Sequence, residues 1–202
     1  MRQSGKIQTS NHLQGIALVL RGLLTRGTFL LALPLFFHLA QAAPSFSVIQ
    51  YSDSKPRSLS LLPKDRPYRA FIFLSSKCPC SHSHLTSLKQ LYSDHQDQVE
   101  FIGIHSNQSE DNADLYFKKQ TLPFPVYRDQ KKAFANHFKP LATPHVFLVN
   151  QNGTVLYQGG VDDRSHYHPD NHHYLKIALA QLAQGNPVEP RKTRVLGCPI
   201  DY

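Results

Sequence analysis

Tyr68-Arg-Ala-Phe-Ile-Phe-Leu74 runs into Ser75-Ser-Lys-Cys78-Pro-Cys80 and then into Ser81-His-Ser-His-Leu-Thr-Ser-Leu-Lys-Gln-Leu-Tyr92. The first run has the composition of a buried strand. The last carries Leu85, Leu88, Leu91 and Tyr92, an i, i+3, i+6, i+7 stripe that predicts a helix with Ser81 as its cap. Two cysteines therefore stand where a strand feeds a helix. Unpaired backbone N–H groups and the helix dipole stabilise a thiolate at that point. Thiolate is the form that attacks disulfides and binds soft metals.

Outward from this stretch, strands and helices alternate. Phe46-Ser-Val-Ile-Gln-Tyr51 reads as a strand and Ser52-Asp-Ser-Lys-Pro56 as a turn. Residues 58–62 fit either a short strand or a helical turn. Residues 99–104 form another apolar strand. Residues 111–119 predict a helix with acids at its start and lysines at its end, as the dipole prefers. Two prolines keep residues 122–126 extended. Residues 129–138 predict a short helix with Ala133, Phe134 and His137 on one face. His145-Val-Phe-Leu-Val149, Asn150-Gln-Asn-Gly153 and Thr154-Val-Leu-Tyr157 make a hairpin signature. Residues 174–184 predict a last helix, stopped by Gly185-Asn-Pro187. This order implies a parallel core with antiparallel strands at one side.

The chain has 202 residues, 41% hydrophobic and 18% charged, an ordinary globular composition. Its net charge of +8 owes half to the first 43 residues, which hold Arg2, Lys6, Arg21 and Arg26 and no acid. The other 18 basic residues stand against 14 acidic ones, without a cluster that suits nucleic acid. The apolar run Phe29-Leu-Leu-Ala-Leu-Pro-Leu-Phe-Phe-His-Leu-Ala40, then Ala40-Gln-Ala42, fits a secretory signal over residues 1–42 cut after Ala42. The alternative is an uncleaved membrane anchor, for which the run is short and interrupted by Pro34 and His38. The expected organisation is this leader, a domain over residues 43–187, and a Cys-containing tail over residues 188–202. Export across the inner membrane to the periplasm would place Cys78, Cys80 and Cys198 where disulfides persist.

Four segments resemble the thioredoxin fold, and within it the redoxin (alkyl-hydroperoxide-reductase/thiol-specific-antioxidant-like) branch. They are Phe73-Leu-Ser-Ser-Lys-Cys78-Pro; Phe101-Ile-Gly-Ile-His-Ser-Asn107; Leu122-Pro-Phe-Pro-Val-Tyr-Arg-Asp129; and Ala142-Thr-Pro144-His-Val-Phe-Leu-Val-Asn-Gln-Asn-Gly153 with its continuation to Asp163. The resemblance spans residues 46–185. It implies a three-layer α/β/α fold with a central mixed sheet. It also implies that Thr143-Pro144 is a cis-proline site beside the nucleophilic sulfur, with the Thr143 backbone turned towards a substrate strand. The chain departs from the family pattern in having C-x-C for C-x-x-C and Lys77 for the tryptophan before the cysteine. It has Phe71 where the peroxidase signature has proline, although Ser75 meets that signature's hydroxyl position.

The expected function is thiol–disulfide exchange on protein thiols and disulfides, recycled by a further redox partner. Cys78 is the nucleophile, with Lys77⁺ and the helix N-terminus lowering its pKa. The resolving thiol is either Cys80 or Cys198. A C-x-C disulfide closes a small strained ring and is readily reduced, while a returning tail would give a less strained one. Thr143, Pro144 and Lys77 are the substrate-binding candidates. No organic cofactor is expected, since no Gly-rich phosphate loop follows a strand. The alternatives are a copper- or zinc-binding module, with ligands drawn from Cys78, Cys80, His82, His84 and His145, and a thiol peroxidase. The plain reading of His82 and His84 puts both on the solvent face of the first helical turn. That of His166, His168, His172 and His173 is an exposed polar loop, and that of Asp162 and Asp163 is service to a turn.

Overall fold

The computed structural model describes residues 43–201; the leader and its cleavage pattern lie outside the described residues. Among the described residues nine strands and four α-helices follow in order. They are β1 Ser45–Gln50, β2 Pro56–Ser60, β3 Tyr68–Phe73, α1 Pro79–His95, β4 Val99–His105, α2 Ala113–Lys119, β5 Val126–Asp129, α3 Ala133–Phe138, β6 Ala142–Thr143, β7 His145–Asn150, β8 Val155–Gly159, α4 Tyr174–Ala183 and β9 Cys198–Pro199. Seven strands form one sheet in the order β2-β1-β5-β4-β3-β7-β8. β3, β4 and β5 run parallel, and antiparallel strands close both sides, β7 with β8 and β1 with β2. The expected hairpin accounts for one side only. The other comes from β1 and β2, so residues 58–60 of the ambiguous 58–62 segment belong to a strand and 61–62 lie beyond it.

The layers follow from strand alternation. Ala70 and Ile72 of β3 face a cluster with Leu85, Leu88 and Leu91 of α1, Phe117 of α2 and Leu175, Leu179 and Leu182 of α4. Phe71 and Phe73 face the opposite side, with Phe134 and Ala135 of α3, Phe147 and Ile200 of the tail. β3 is buried from Arg69 to Phe73 because helices or tail cover both faces, which explains the apolar run Ala70–Phe73.

Three predicted helix starts shift. α1 begins at Pro79, not at Ser81. Proline suits the first helical position because its missing N–H would be unpaired there anyway. Cys78 is therefore the cap, and Ser81 N–H donates to its sulfur at 3.5 Å. α2 begins at Ala113, since Asn112 takes a left-handed conformation with φ 60°. Asp129 ends β5, a short 3-10 turn follows at Gln130–Lys132, and α3 begins only at Ala133. The buried Asp129 carboxylate accepts from the N–H groups of Phe134 and Ala135 at 2.9 Å each and from Ser106 Oγ at 2.8 Å, so it caps α3 from a distance.

Candidate active site

β3 delivers the chain to a short loop, residues 74–77, that must turn sharply into α1. That loop is held by one carboxylate. Glu110 accepts from Ser75 Oγ, from Ser76 N–H at 2.7 Å and Oγ at 2.6 Å, from Lys77 N–H at 3.3 Å, and from Asn107 Nδ2 at 2.7 Å. His105 Nε2 lies 2.9 Å from the same carboxylate, and its Nδ1 lies 2.6 Å from Tyr51 Oη. Burial pushes the Tyr51 phenol up, against the pull of Arg128. Burial alone would raise Glu110 as well. The bonds from His105, Ser75, Ser76 and Asn107 outweigh it and hold the carboxyl well below the usual carboxylate range.

The sulfurs meet at the end of this loop. Cys78 is disulfide-bonded to Cys198, with 5.8 Å between Cα atoms and 120 residues between them in sequence. Of the two possible partners, the tail cysteine is the one joined. Cys80 is a free, buried thiol, and the three Sγ atoms all lie within 4.8 Å of one another. Cys78 Sγ also sits 3.2 Å from the Thr143 carbonyl oxygen. The Thr143–Pro144 peptide is cis. Thr143 is buried, pairs across with Cys198, and holds a hydroxyl without a hydrogen-bond partner among the described residues.

The other expected site residues disperse. Lys77 Nζ reaches Asp111 at 3.8 Å with both groups exposed, so its charge faces solvent and is screened there. The histidines do not come to the sulfurs. Among the described residues the only group of three or more potential soft-metal ligands is the cysteine trio. His82 is exposed and lies 3.0 Å from Tyr116 Oη through Nδ1. His145 accepts from Leu141 N–H at 3.1 Å and packs on Phe147 at 4.4 Å. Burial, with help from Lys192, pushes its pKa down to about 4, which keeps it neutral.

His84 departs most from expectation. It is 1% exposed, because it shares the buried stripe of α1 with Ser81, Leu88 and Leu91. Its Nδ1 donates to the Cys80 carbonyl at 2.7 Å, and its Nε2 lies 3.1 Å from the buried Asp162 carboxylate, at ion-pair rather than hydrogen-bond geometry. Asp162 also accepts from Arg164 N–H and Asn171 Nδ2, so it serves the turn and anchors the first turn of α1 too. Burial opposes ionisation of Asp162, and the contacts with His84, Asn171 and Arg164 overcome that and lower its pKa. His84→Ala would strip a charged partner from a buried carboxylate and leave it hydrogen-bonded only by Arg164 N–H and Asn171. It is expected to cost about 3 kcal/mol of stability, read by urea denaturation at neutral pH. His166, His168 and His172 lie exposed on the loop before α4.

Glu110 and His105 carry no local signal of this role. Glu110 stands 34 residues from the loop it holds. The histidine on the apolar spacing of α1 was the one readable hint.

Residues 67–155 match the family described as Thioredoxin-like. An uncharacterized conserved protein from Geobacillus kaustophilus is 24% identical with a TM-score of 0.67, over 79% of this chain and 89% of that one. A hypothetical protein from Sinorhizobium meliloti 1021 is 20% identical with a TM-score of 0.68, over 79% of this chain and 92% of that one. No curated protein matches the chain significantly.

Proposed function

For a chain whose fold is thioredoxin-like, we propose thiol–disulfide exchange on protein substrates outside the cytoplasm, with Cys78 as the attacking and attacked sulfur. The observation that carries this reading is the Cys78–Cys198 pair at the N-terminus of α1, with a third thiol alongside. In the oxidising direction, a substrate thiolate attacks Cys78 Sγ. The bond to Cys198 breaks, and Cys198 leaves as thiolate. A second substrate thiolate then attacks the substrate sulfur of the mixed disulfide, and Cys78 leaves as thiolate. The substrate loses two electrons, the protein gains two, and an external redox partner restores the pair. The departing Cys78 thiolate is received by Ser81 N–H and the positive end of α1. Cys80 is near enough to clear a mixed disulfide that stalls. Export rests on the leader pattern of residues 1–42.

The test uses the Cys80→Ser/Cys198→Ser variant, which retains Cys78 alone. A protein disulfide offered to it is expected to yield a stable adduct that maps to Cys78 by mass spectrometry. Absence of the adduct, with the variant folded, contradicts the reading.

A second reading is favoured by the sulfur trio itself. In the reduced chain Cys78, Cys80 and Cys198 form a three-thiolate set suited to Cu(I) or Zn²⁺. It predicts one metal per reduced chain, lost in each single Cys→Ser variant and on oxidation of the 78–198 pair. Competition with a chromogenic chelator reads it.

A further inference from the structure

The tail does more than supply a sulfur. Residues 191–194 are fixed along the end of β8 and the residue after it: Gln158 N–H donates to Arg191 O, Thr193 N–H to Gln158 O, and Gly160 N–H to Arg194 O. Beyond them the chain crosses to the cysteine site. There Cys198 and Pro199 pair antiparallel with Thr143 and Ala142 in a two-stranded sheet separate from the main one. A strand hydrogen-bonded to the loop beside the helix-cap sulfur, with its own cysteine joined to that sulfur, has the arrangement of a substrate caught in a mixed disulfide.

The seat of that strand is selective at two positions and held through the backbone at a third. At residue 197, a Cβ would stand 1.9 Å from the Thr143 carbonyl oxygen and 2.7 Å from its carbon. Both are backbone atoms of the loop that does the pairing, so neither yields as a flexible side chain would. Two residues after the cysteine, Ile200 is 7% exposed and joins Phe73, Phe147 and Phe134 in the core on that face. One residue further, Asp201 N–H donates to Asn107 Oδ1 at 3.2 Å, and Asn107 in turn donates to Glu110.

We propose that residues 197–200 are a built-in substrate strand, and that they define what the site takes from other proteins. This rests on the exchange reading. The substrate is an extended segment with glycine immediately before the cysteine and an aliphatic residue two places after it. The tail must leave for that segment to bind. The incoming thiolate attacks Cys78 Sγ, the bond to Cys198 breaks, and Cys198 departs as thiolate with its strand. The new segment then pairs with Ala142 and Thr143.

The experiment uses the full chain with the 78–198 disulfide formed. It is offered three reduced peptides: the sequence of residues 196–201, the same peptide with valine at the glycine, and the same peptide with aspartate at the isoleucine. Adducts at Cys78 are timed by acid quench and mass spectrometry, with glutathione as the unspecific thiol. The unaltered peptide is expected to react about tenfold or more faster than either variant, a reasonable return for one relieved backbone clash or one regained apolar contact. In the full chain, Gly197→Val unseats the competing strand and is expected to speed adduct formation by the unaltered peptide to a similar degree. Equal rates for the three peptides, or an unchanged rate in Gly197→Val, would overturn the built-in substrate while leaving exchange in place. No adduct from any thiol, glutathione included, would remove the exchange reading as well.

Discussion

Cys78→Ser is expected to reduce thiol–disulfide exchange to the rate of buffer alone. The reason is positional. Cys78 is the cap of α1, and its sulfur receives the Ser81 N–H and faces the positive end of a 17-residue helix. Neither of the other sulfurs caps a helix. The variant also loses a disulfide that closes a long loop, which costs about 2–4 kcal/mol in the chain-entropy view. Cys198→Ser loses the same disulfide but keeps the Cys78 nucleophile. It should match Cys78→Ser in urea denaturation while still forming mixed disulfides. Cys80→Ser should retain the 78–198 pair and its stability. A fall to background in all three variants alike would point to lost structure rather than lost chemistry.

Glu110→Ala is expected to produce the largest loss of stability among residues that touch no substrate, about 3–5 kcal/mol. Five residues direct donors at this carboxylate, and most of those donors lie in the turn between β3 and Cys78. Removing it leaves them unpaired under a side chain that is only 7% exposed. The same loop sets where Cys78 begins α1, so exchange should slow in the fraction that stays folded. Glu110→Gln keeps the shape but loses the charge and should fall between the two. The pH dependence has a definite sign. The folded-state pKa of Glu110 is depressed, so its contribution is fully present above the ordinary glutamate value of about 4.3 and is lost as pH falls below it. Wild type should therefore lose stability on acidification from pH 6 to pH 3 more steeply than Glu110→Gln. Parallel curves would remove Glu110 from its assigned place.

The features legible in the sequence are those written locally. β3 ends in the apolar run Ala70–Phe73, α1 has a leucine stripe, and β7 and β8 flank a turn at Asn152-Gly153. The cysteines at the strand-to-helix junction needed only the order of these two elements. Residues 56–60 were harder, because β2 is the edge strand of the sheet, mostly exposed, and no clean period is imposed on it. The cap of α1 moved because the fitness of proline for a first helical position competes with that of serine for a cap. The metal set drawn through His82, His84 and His145 failed for a different reason. Neighbourhood in sequence to Cys80 or Pro144 says nothing about direction. His84 turns to Asp162, His145 to Leu141 and Phe147, and His82 to Tyr116. Cys198 lies beyond the last helix in a segment with neither helical nor strand period. Its place became readable only through backbone pairing with Thr143.

The central claim is that the Cys78–Cys198 pair is a working redox couple. The most direct test equilibrates residues 43–202, without a tag, in glutathione buffers of graded potential. Thiols are then trapped by alkylation and the peptides mapped. The account predicts one two-electron transition, with Cys78 and Cys198 gained or lost together within the range spanned by exchange-active proteins, roughly −120 to −270 mV. Cys80 should be alkylated in unfolded samples throughout. A 78–198 pair that stays oxidised through the most reducing buffer would make it a structural staple. Three thiols that stay alkylatable at every potential would contradict the account outright.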